Sequence, residues 1–361
     1  MTKIPHIQEI FEHVEFSRRS LIQSLALGGA VLAAGAGVAS IASAENIPVS
    51  SGGKKVKVGI PLTYGPFNQP WRRGMGTMVK TVLDNGGEVV TIRGEPTKQS
   101  ELDAMRQLLD RGIDVLCMGN YATESETAYI AEDAHRRGIK TVGFQVTVKD
   151  SPSVVEDTWG LATALGYFVQ NALKRQGNIV QTAEDKGFFQ PFDMEAAQLE
   201  MMTSFEPRMK VLPFMSGSTS GSDQISKGRE NVLSLLQANP DPASINAIIS
   251  WWWPLSIGAV QGLNQMNRTN IMIANHYFSE QLLEEMARPE TPIAFSTDTP
   301  WDIVGEKTAQ LALALGRGEN VPNDVFRTPV RAITRDQAAE TLAKLRKDDA
   351  DAIAILKQYG G

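Results

Sequence analysis

Phe67, Asn68 and Trp71 stand within five residues of one another, in a stretch that reads KVKVGIPLTYGPFNQPW from Lys55 to Trp71. Two aromatic faces beside one amide that both donates and accepts hydrogen bonds suit a small hydroxylated molecule. Other chemistries find less material. Cys117 is the sole cysteine, set in the apolar run Val115–Met118, which points to a buried, inert thiol and allows no internal disulfide. The four histidines, His6, His13, His135 and His276, show no HxxxH spacing, so a metal centre is not expected. With no nucleophile–base pair, metal cluster or phosphate loop, an enzyme is not expected either, and no cofactor motif is present.

The elements around this stretch explain why it should line a cleft. Val56, Val58 and Ile60 alternate with Lys55, Lys57 and Gly59 until Pro61 stops the run, which predicts a short strand. A loop rich in Gly, Pro and aromatics follows, and the pattern is helical from Arg72. A strand whose C-terminal end opens into a loop before a helix is where open α/β sheets place their ligands. Further strands are predicted over 88–92, 113–118 and 140–144, alternating with helices over 69–84, 100–111 and 124–137. Asn85-Gly86-Gly87 closes the first helix as a left-handed cap. A second block repeats the alternation: a weak strand at Val154-Val155, then strands over 178–182, 209–214, 245–250 and 271–274, with helices between them. Strands alternating with helices of ten to fifteen residues mean βαβ units and parallel sheets. The expected break between the blocks is Gln145 to Ser153.

The gross numbers agree with two globular lobes. The chain has 361 residues, a net charge of -6 and a pI near 5.4. Without a basic stripe, a nucleic-acid partner is not expected. At the N-terminus, Ser-Arg-Arg-Ser-Leu-Ile over 17–22 precedes a small-residue apolar run from Ala26 to Ile41 and then Ala42-Ser43-Ala44. That order resembles a bacterial twin-arginine export signal cleaved after about Ala44, and it is too short and too rich in Gly and Ala for a transmembrane helix. The mature chain is expected to be free in the periplasm.

Five segments in order carry a resemblance to a family. VGIPLTYGPFNQPW, ELDAMRQLLDRGIDVLCMGNYATES, AEDAHRRGIKTVGF, LQANPDPASINAIISWWWPLSIGAVQGL and TPWDIVGEKTAQLALALGRGE are similar to successive segments of the type I, ribose-binding-like, periplasmic sugar-binding proteins of ABC transporters. The match runs from about Lys55 to Ile333. It implies an α/β fold of two Rossmann-like lobes with parallel sheets, joined by a three-stranded hinge. The implied division is 1–44 signal peptide, 54–146 plus 298–320 first lobe, 147–297 plus 321–335 second lobe, and 336–361 a C-terminal helical extension. It also implies a monomeric receptor that closes over a monosaccharide and serves a permease in the inner membrane.

Carried onto this sequence, the resemblance puts Phe67, Asn68 and Trp71 on the first wall with Asn120 and Tyr121. Gln145 falls at the first crossover, Asp157 near the start of the second lobe's first helix, Phe189 and Asp193 on the loop before the next helix, and Asp298 at the last crossover. Asp157 serves equally well as a helix N-cap, and Asp298 suits a cap or hinge turn as well as a ligand contact. The departures matter too. Trp251-Trp252-Trp253 stands where the family commonly has Asn-Asp, and Asn275-His276 where it commonly has an Asp. The family's arginine is missing between Asp193 and Gln198. At most two of the three tryptophans can face a cleft, and Trp252, Trp253 and His276 join the expected ligand set. Losing two carboxylates and a guanidinium implies a flatter, more apolar pocket for a deoxy sugar, polyol or small cyclic compound. The amphipathic tail from Asp336 to Tyr359 is expected to be a surface helix or helix pair covering its own lobe. A receptor presenting its ligand to a sensor kinase or chemoreceptor is the alternative function, ahead of an exported enzyme.

Overall fold

The computed structural model describes residues 55–65, 67–217 and 223–360; the leader expected over 1–44 lies outside the described residues. Two sheets organise the fold. The first contains β1 (Lys57–Thr63), β2 (Glu88–Gly94), β3 (Val115–Met118), β4 (Lys140–Phe144), β5 (Ser153–Val155) and β12 (Val325–Arg327), in the order β12-β5-β4-β3-β1-β2 and parallel throughout. The second contains β6 (Gly177–Ala183), β7 (Met209–Val211), β9 (Ala247–Ser250), β10 (Met272–His276), β11 (Ile293–Asp298) and β13 (Arg331–Thr334), in the order β13-β11-β10-β9-β6-β7. There β13 runs antiparallel to β11, and the two-residue β8 (Met215–Ser216) pairs with β6. Among the described residues, no helix is long and apolar enough to cross a membrane.

Helices cover both faces of the first sheet, which explains the residue alternation in β1. Val58, Ile60 and Leu62 point to the face covered by α1 (Gln69–Asp84) and α9 (Trp301–Gly316). Gly59 points the other way, toward Ile113 and Leu116. Those two belong to a separate apolar cluster shared with Met105, Leu108, Ile130 and Ala134 from α2 (Lys98–Leu109) and α3 (Glu124–Arg136). The α1–α9 crossing is very close, because a Cβ on Gly305 would overlap the Gly74 carbonyl oxygen. In the second lobe α4 (Thr158–Ala172) packs with α5 (Gln190–Ser204), and α6 (Gln224–Ala238) packs with α7 (Trp253–Gln265). The predicted left-handed cap after α1 is present, with Gly86 at φ 76°.

Two boundaries differ from expectation. The chain does not leave the first lobe between Gln145 and Ser153. Instead, 145–152 turns back through positive φ at Gln145 (68°) and Asp150 (56°), and Ser153–Val155 lies beside β4 as a fifth strand of the first sheet. The first crossover is therefore Glu156-Asp157. The segment 321–335, assigned to the second lobe, divides: β12 pairs with β5 in the first sheet and β13 with β11 in the second, so 328–330 forms another crossover. Residues 299–300, between β11 and α9, complete the set of three.

The tail is a single helix, α10 (Ala338–Lys357), after a short 3-10 turn. It does not simply cover its own lobe. It leaves β13 of the second sheet and packs on both α1 of the first lobe and α8 (Glu280–Met286) of the second. Arg72 of α1 pairs with Asp349 in a fork, with Nε donating to Oδ1 at 3.1 Å, and Arg346 pairs with Glu280 at 2.6 Å and with Glu284.

Candidate functional site

The C-terminal ends of both sheets meet between the lobes, where the first turn of α1 drives Trp71 into the second lobe. Trp71 is 2% exposed and touches five other rings. Phe189, Trp252 and Tyr277 of the second lobe lie 5.8, 5.3 and 5.5 Å from it between centroids. Tyr121 and Trp301 of the first lobe lie at 6.3 and 5.2 Å. The angles between planes, 46° to 79° for all but the Tyr121 stack, are those aromatic quadrupoles favour. Phe192 extends the cluster, packing on Trp252, Tyr277 and the His276 ring.

The three consecutive tryptophans divide by strand alternation and helix start. The Trp251 indole turns into the second lobe and donates to Gln181 Oε1 at 2.8 Å. Trp252 faces Trp71 and donates to Gln224 Oε1 at 2.8 Å, while Gln224 Nε2 donates to Glu184 Oε1 at 2.6 Å. Burial pushes the Glu184 carboxyl up to about 8. Trp253 opens α7 and closes the rim between the lobes, its ring 5.5 Å from Phe67 and its indole donating to the Phe67 carbonyl oxygen at 3.0 Å. Two of the three thus face the cleft.

Buried polar atoms without a hydrogen bond surround these rings. They include Trp71 Nε1 and Trp301 Nε1, Asn120 Oδ1, the Tyr121 hydroxyl and both side-chain amide atoms of Gln145. Asn120 and Tyr121 sit on the loop after β3, and Gln145 directly follows β4, so these groups share one sheet edge. Glu101 of α2 anchors the loop after β3. Its Oε2 accepts from the Tyr121 and Ala122 amides at 3.0 and 2.9 Å, and its Oε1 from the Thr63 hydroxyl at 3.3 Å. Burial pushes Glu101 up to about 7 against those three donors.

Four expected ligand residues are engaged by other groups of the chain, three of them locally. Asp157 is an N-cap, accepting from the Gly160 amide at 3.1 Å. Asp193 accepts from the Gly187 amide at 2.8 Å within its own loop, and Asn68 Oδ1 likewise accepts from the Gly65 amide at 2.8 Å. Each short side chain had a backbone donor three to six residues away, a nearer partner than any solute. Asp298 lies at a crossover, accepting from the Phe278 amide at 3.0 Å with Arg73 Nη2 3.8 Å away. Burial lifts its carboxyl to about 7, and Arg73 opposes that rise.

The two carboxylates missing from the family's usual positions have counterparts elsewhere in the second lobe and at a crossover. Glu156, from the first crossover, and Glu195, from α5, both reach His276 at the end of β10. Glu156 Oε2 accepts from the Tyr277 hydroxyl at 2.6 Å and from the Thr299 hydroxyl at 2.9 Å, tying two crossovers together. Burial and the neighbouring Glu156 hold Glu195 well above the usual carboxylate range, and burial lowers His276. Glu156, Glu195, Tyr277, Trp301 and Phe192 carry no local motif.

A family described as Periplasmic binding protein domain matches residues 60–320. No curated protein matches. Among solved structures, the fold is similar to an ABC transporter solute binding protein from Agrobacterium vitis with bound allitol, at 21% identity and a TM-score of 0.72, covering 81% of this chain and 99% of that one. It is also similar to the periplasmic component of the arabinose ABC transporter from Shewanella sp. ANA-3, bound to α- and β-L-arabinofuranose (18% identity, TM-score 0.71, covering 82% and 98%). A third is the 5-methylthioribose transporter solute binding protein from Thermotoga lettingae TMO (17% identity, TM-score 0.70, covering 83% and 92%). With two lobes built on mostly parallel sheets, three crossovers and a family match over most of its length, the chain belongs to the periplasmic binding proteins.

Proposed function

We propose that this chain is the solute receptor of an ABC importer, and that it closes its lobes over a small sugar, deoxy sugar or polyol. The observation that carries the reading is the ring of buried, unpartnered polar atoms around an interlobe aromatic cluster: Asn120, Tyr121, Gln145 and the Trp71 and Trp301 indoles. A buried polar group without a partner loses its hydration for nothing unless something binds it. Hydroxyls alternating with C–H faces satisfy both the donors and the rings. The bound sugars and polyols of the similar structures support the same class. Phe67, Trp71, Asn120, Tyr121, Gln145, Phe189, Trp252, Trp253 and Trp301 form the wall in this reading. A twin-arginine leader cleaved near Ala44, a monomeric mature protein in the periplasm and delivery to an inner-membrane permease belong to the same proposal.

The test is a titration of intrinsic tryptophan fluorescence against pentoses, hexoses, deoxy sugars and polyols, backed by thermal shift. Saturable binding of one or a few is expected, with Trp71→Ala and Trp252→Ala each weakening it by about 1–3 kcal/mol. A solute that binds both variants as tightly as the natural protein refutes this wall.

A further inference from the structure

Glu156, Glu195 and His276 come from three elements separated by up to 120 residues, and their donor atoms all lie within 4.8 Å of one another. His276 Nε2 is 3.8 Å from Glu156 Oε2 and 3.7 Å from Glu195 Oε1. All three side chains are at most 2% exposed. Both Glu195 oxygens, Glu156 Oε1 and His276 Nε2 lack a hydrogen bond, and among the described residues neither carboxylate pairs with a Lys or Arg. Two adjoining carboxylates in a dry interior are strongly unfavourable without a positive partner. Protonating Glu195 removes its charge but leaves its O–H without an acceptor, because 3.7 Å is too long for a hydrogen bond to His276.

We infer that Glu156, Glu195 and His276 bind a divalent transition-metal ion at the floor of the interlobe cleft. A point equidistant from three atoms at such separations lies roughly 2.2–2.4 Å from each, close to the metal–ligand bond lengths of nitrogen and carboxylate donors. One imidazole and two carboxylates suit zinc and its first-row neighbours better than the hard, all-oxygen preference of calcium. The surroundings already orient the ligands. Thr297 Oγ1 lies 3.0 Å from His276 Nδ1 and can accept its proton, leaving Nε2 to bind the ion. Tyr277 and Thr299 hold Glu156 through Oε2. Three protein ligands leave a coordination position for a water or a solute oxygen, beside Tyr277 and Phe192. Because Glu156 belongs to a crossover and Glu195 and His276 to the second lobe, a bound ion also fixes the hinge to that lobe.

The inference stands apart from the solute reading, and the two fail separately. Tag-free protein, stripped with chelator and kept free of sugar, is titrated with zinc by calorimetry, with bound metal counted by elemental analysis. One ion per chain is expected, with a rise in thermal midpoint and at least a 100-fold loss of affinity in Glu195→Gln and in His276→Gln. Chelated Glu195→Gln should fold with a midpoint no lower than that of the chelated natural protein, since it replaces a buried carboxyl that makes no hydrogen bond. Substoichiometric zinc, or zinc bound equally by both variants, overturns the inference. So does an organic cation such as choline or putrescine that binds the metal-free protein, loses affinity in Glu195→Gln and is not displaced by zinc.

Discussion

Glu101 provides a measurable link between burial and the loop that presents Asn120 and Tyr121. It is fully buried, and its pKa lies at about 7 instead of 4.5 because desolvation of the carboxylate outweighs its three hydrogen bonds. The unfolded chain releases this proton near 4.5, while the folded chain holds it to about 7. Stability from this group is therefore greatest below pH 4.5, declines as pH rises to about 7, and is constant above that. At 1.36 kcal/mol per pH unit, the gap amounts to about 3 kcal/mol. Glu101→Gln removes the titration and keeps the geometry. Its amide oxygen can accept from the Tyr121 and Ala122 amides, and its amide nitrogen can donate to the Thr63 hydroxyl. Urea denaturation of both proteins between pH 4.5 and 8 isolates the effect, since every other titrating group is common to the pair. The two should be nearly equal in stability at pH 4.5, and the variant should lead by about 3 kcal/mol at pH 8. Stability curves that stay parallel across that range would refute the assignment of a raised carboxyl to Glu101.

Gly305→Ala places a methyl group against the Gly74 carbonyl where α1 and α9 cross, and should cost about 2–3 kcal/mol by urea denaturation. A variant within 0.5 kcal/mol of the natural protein, roughly the scatter of ordinary surface changes, would show that the crossing has room to spare. Cys117 is 2% exposed, and burial raises its thiol well above the ordinary range. It should resist a thiol reagent at pH 8 in the folded protein and react fully in urea; fast labelling without denaturant would contradict that burial.

The fold was legible because its signals are local. Alternation in β1 and glycine ends on helices are read within single elements, and each strand–helix repeat lies within one short stretch of chain. The boundary at 145–153 was misplaced because Val154-Val155 is too short to reveal which sheet it joins, and only its pairing with Phe144 decides that. The site was legible in part. Asn120, Tyr121 and Trp252 follow strand ends directly and Trp71 opens the helix after β1, the places where the α/β rule predicts function. Asn68, Asp157 and Asp193 have the right residue types but lie within reach of a backbone amide, and local capping is the stronger competitor for short side chains. Glu156 and Glu195, and their meeting with His276, were beyond reach because no local spacing relates the three residues. A cluster drawn from a crossover, a helix and a strand end exists only in the folded chain.

Closure of the two lobes depends on a few residues at the start of α1. Trp71 supplies ring contacts to Phe189, Trp252 and Tyr277, Phe67 accepts the Trp253 indole, and Gln69 Oε1 accepts from the Glu280 amide at 3.0 Å. Arg73 lies 3.8 Å from Asp298, and Arg72 reaches Asp349 on α10, which is itself tied to α8 through Arg346. Seven consecutive residues, 67 to 73, thus hold most of the named cross-cleft contacts. Each polar contact contributes on the order of 1 kcal/mol net, because an opened cleft hydrates the same groups. The aromatic contacts differ, since opening exposes apolar area to water with nothing gained in return. In the proposed receptor, Trp71 would contribute most to the unliganded balance between open and closed lobes, and the unpartnered polar atoms around it would favour closure only when a solute satisfies them. That division lets one helix start act as both latch and sensor.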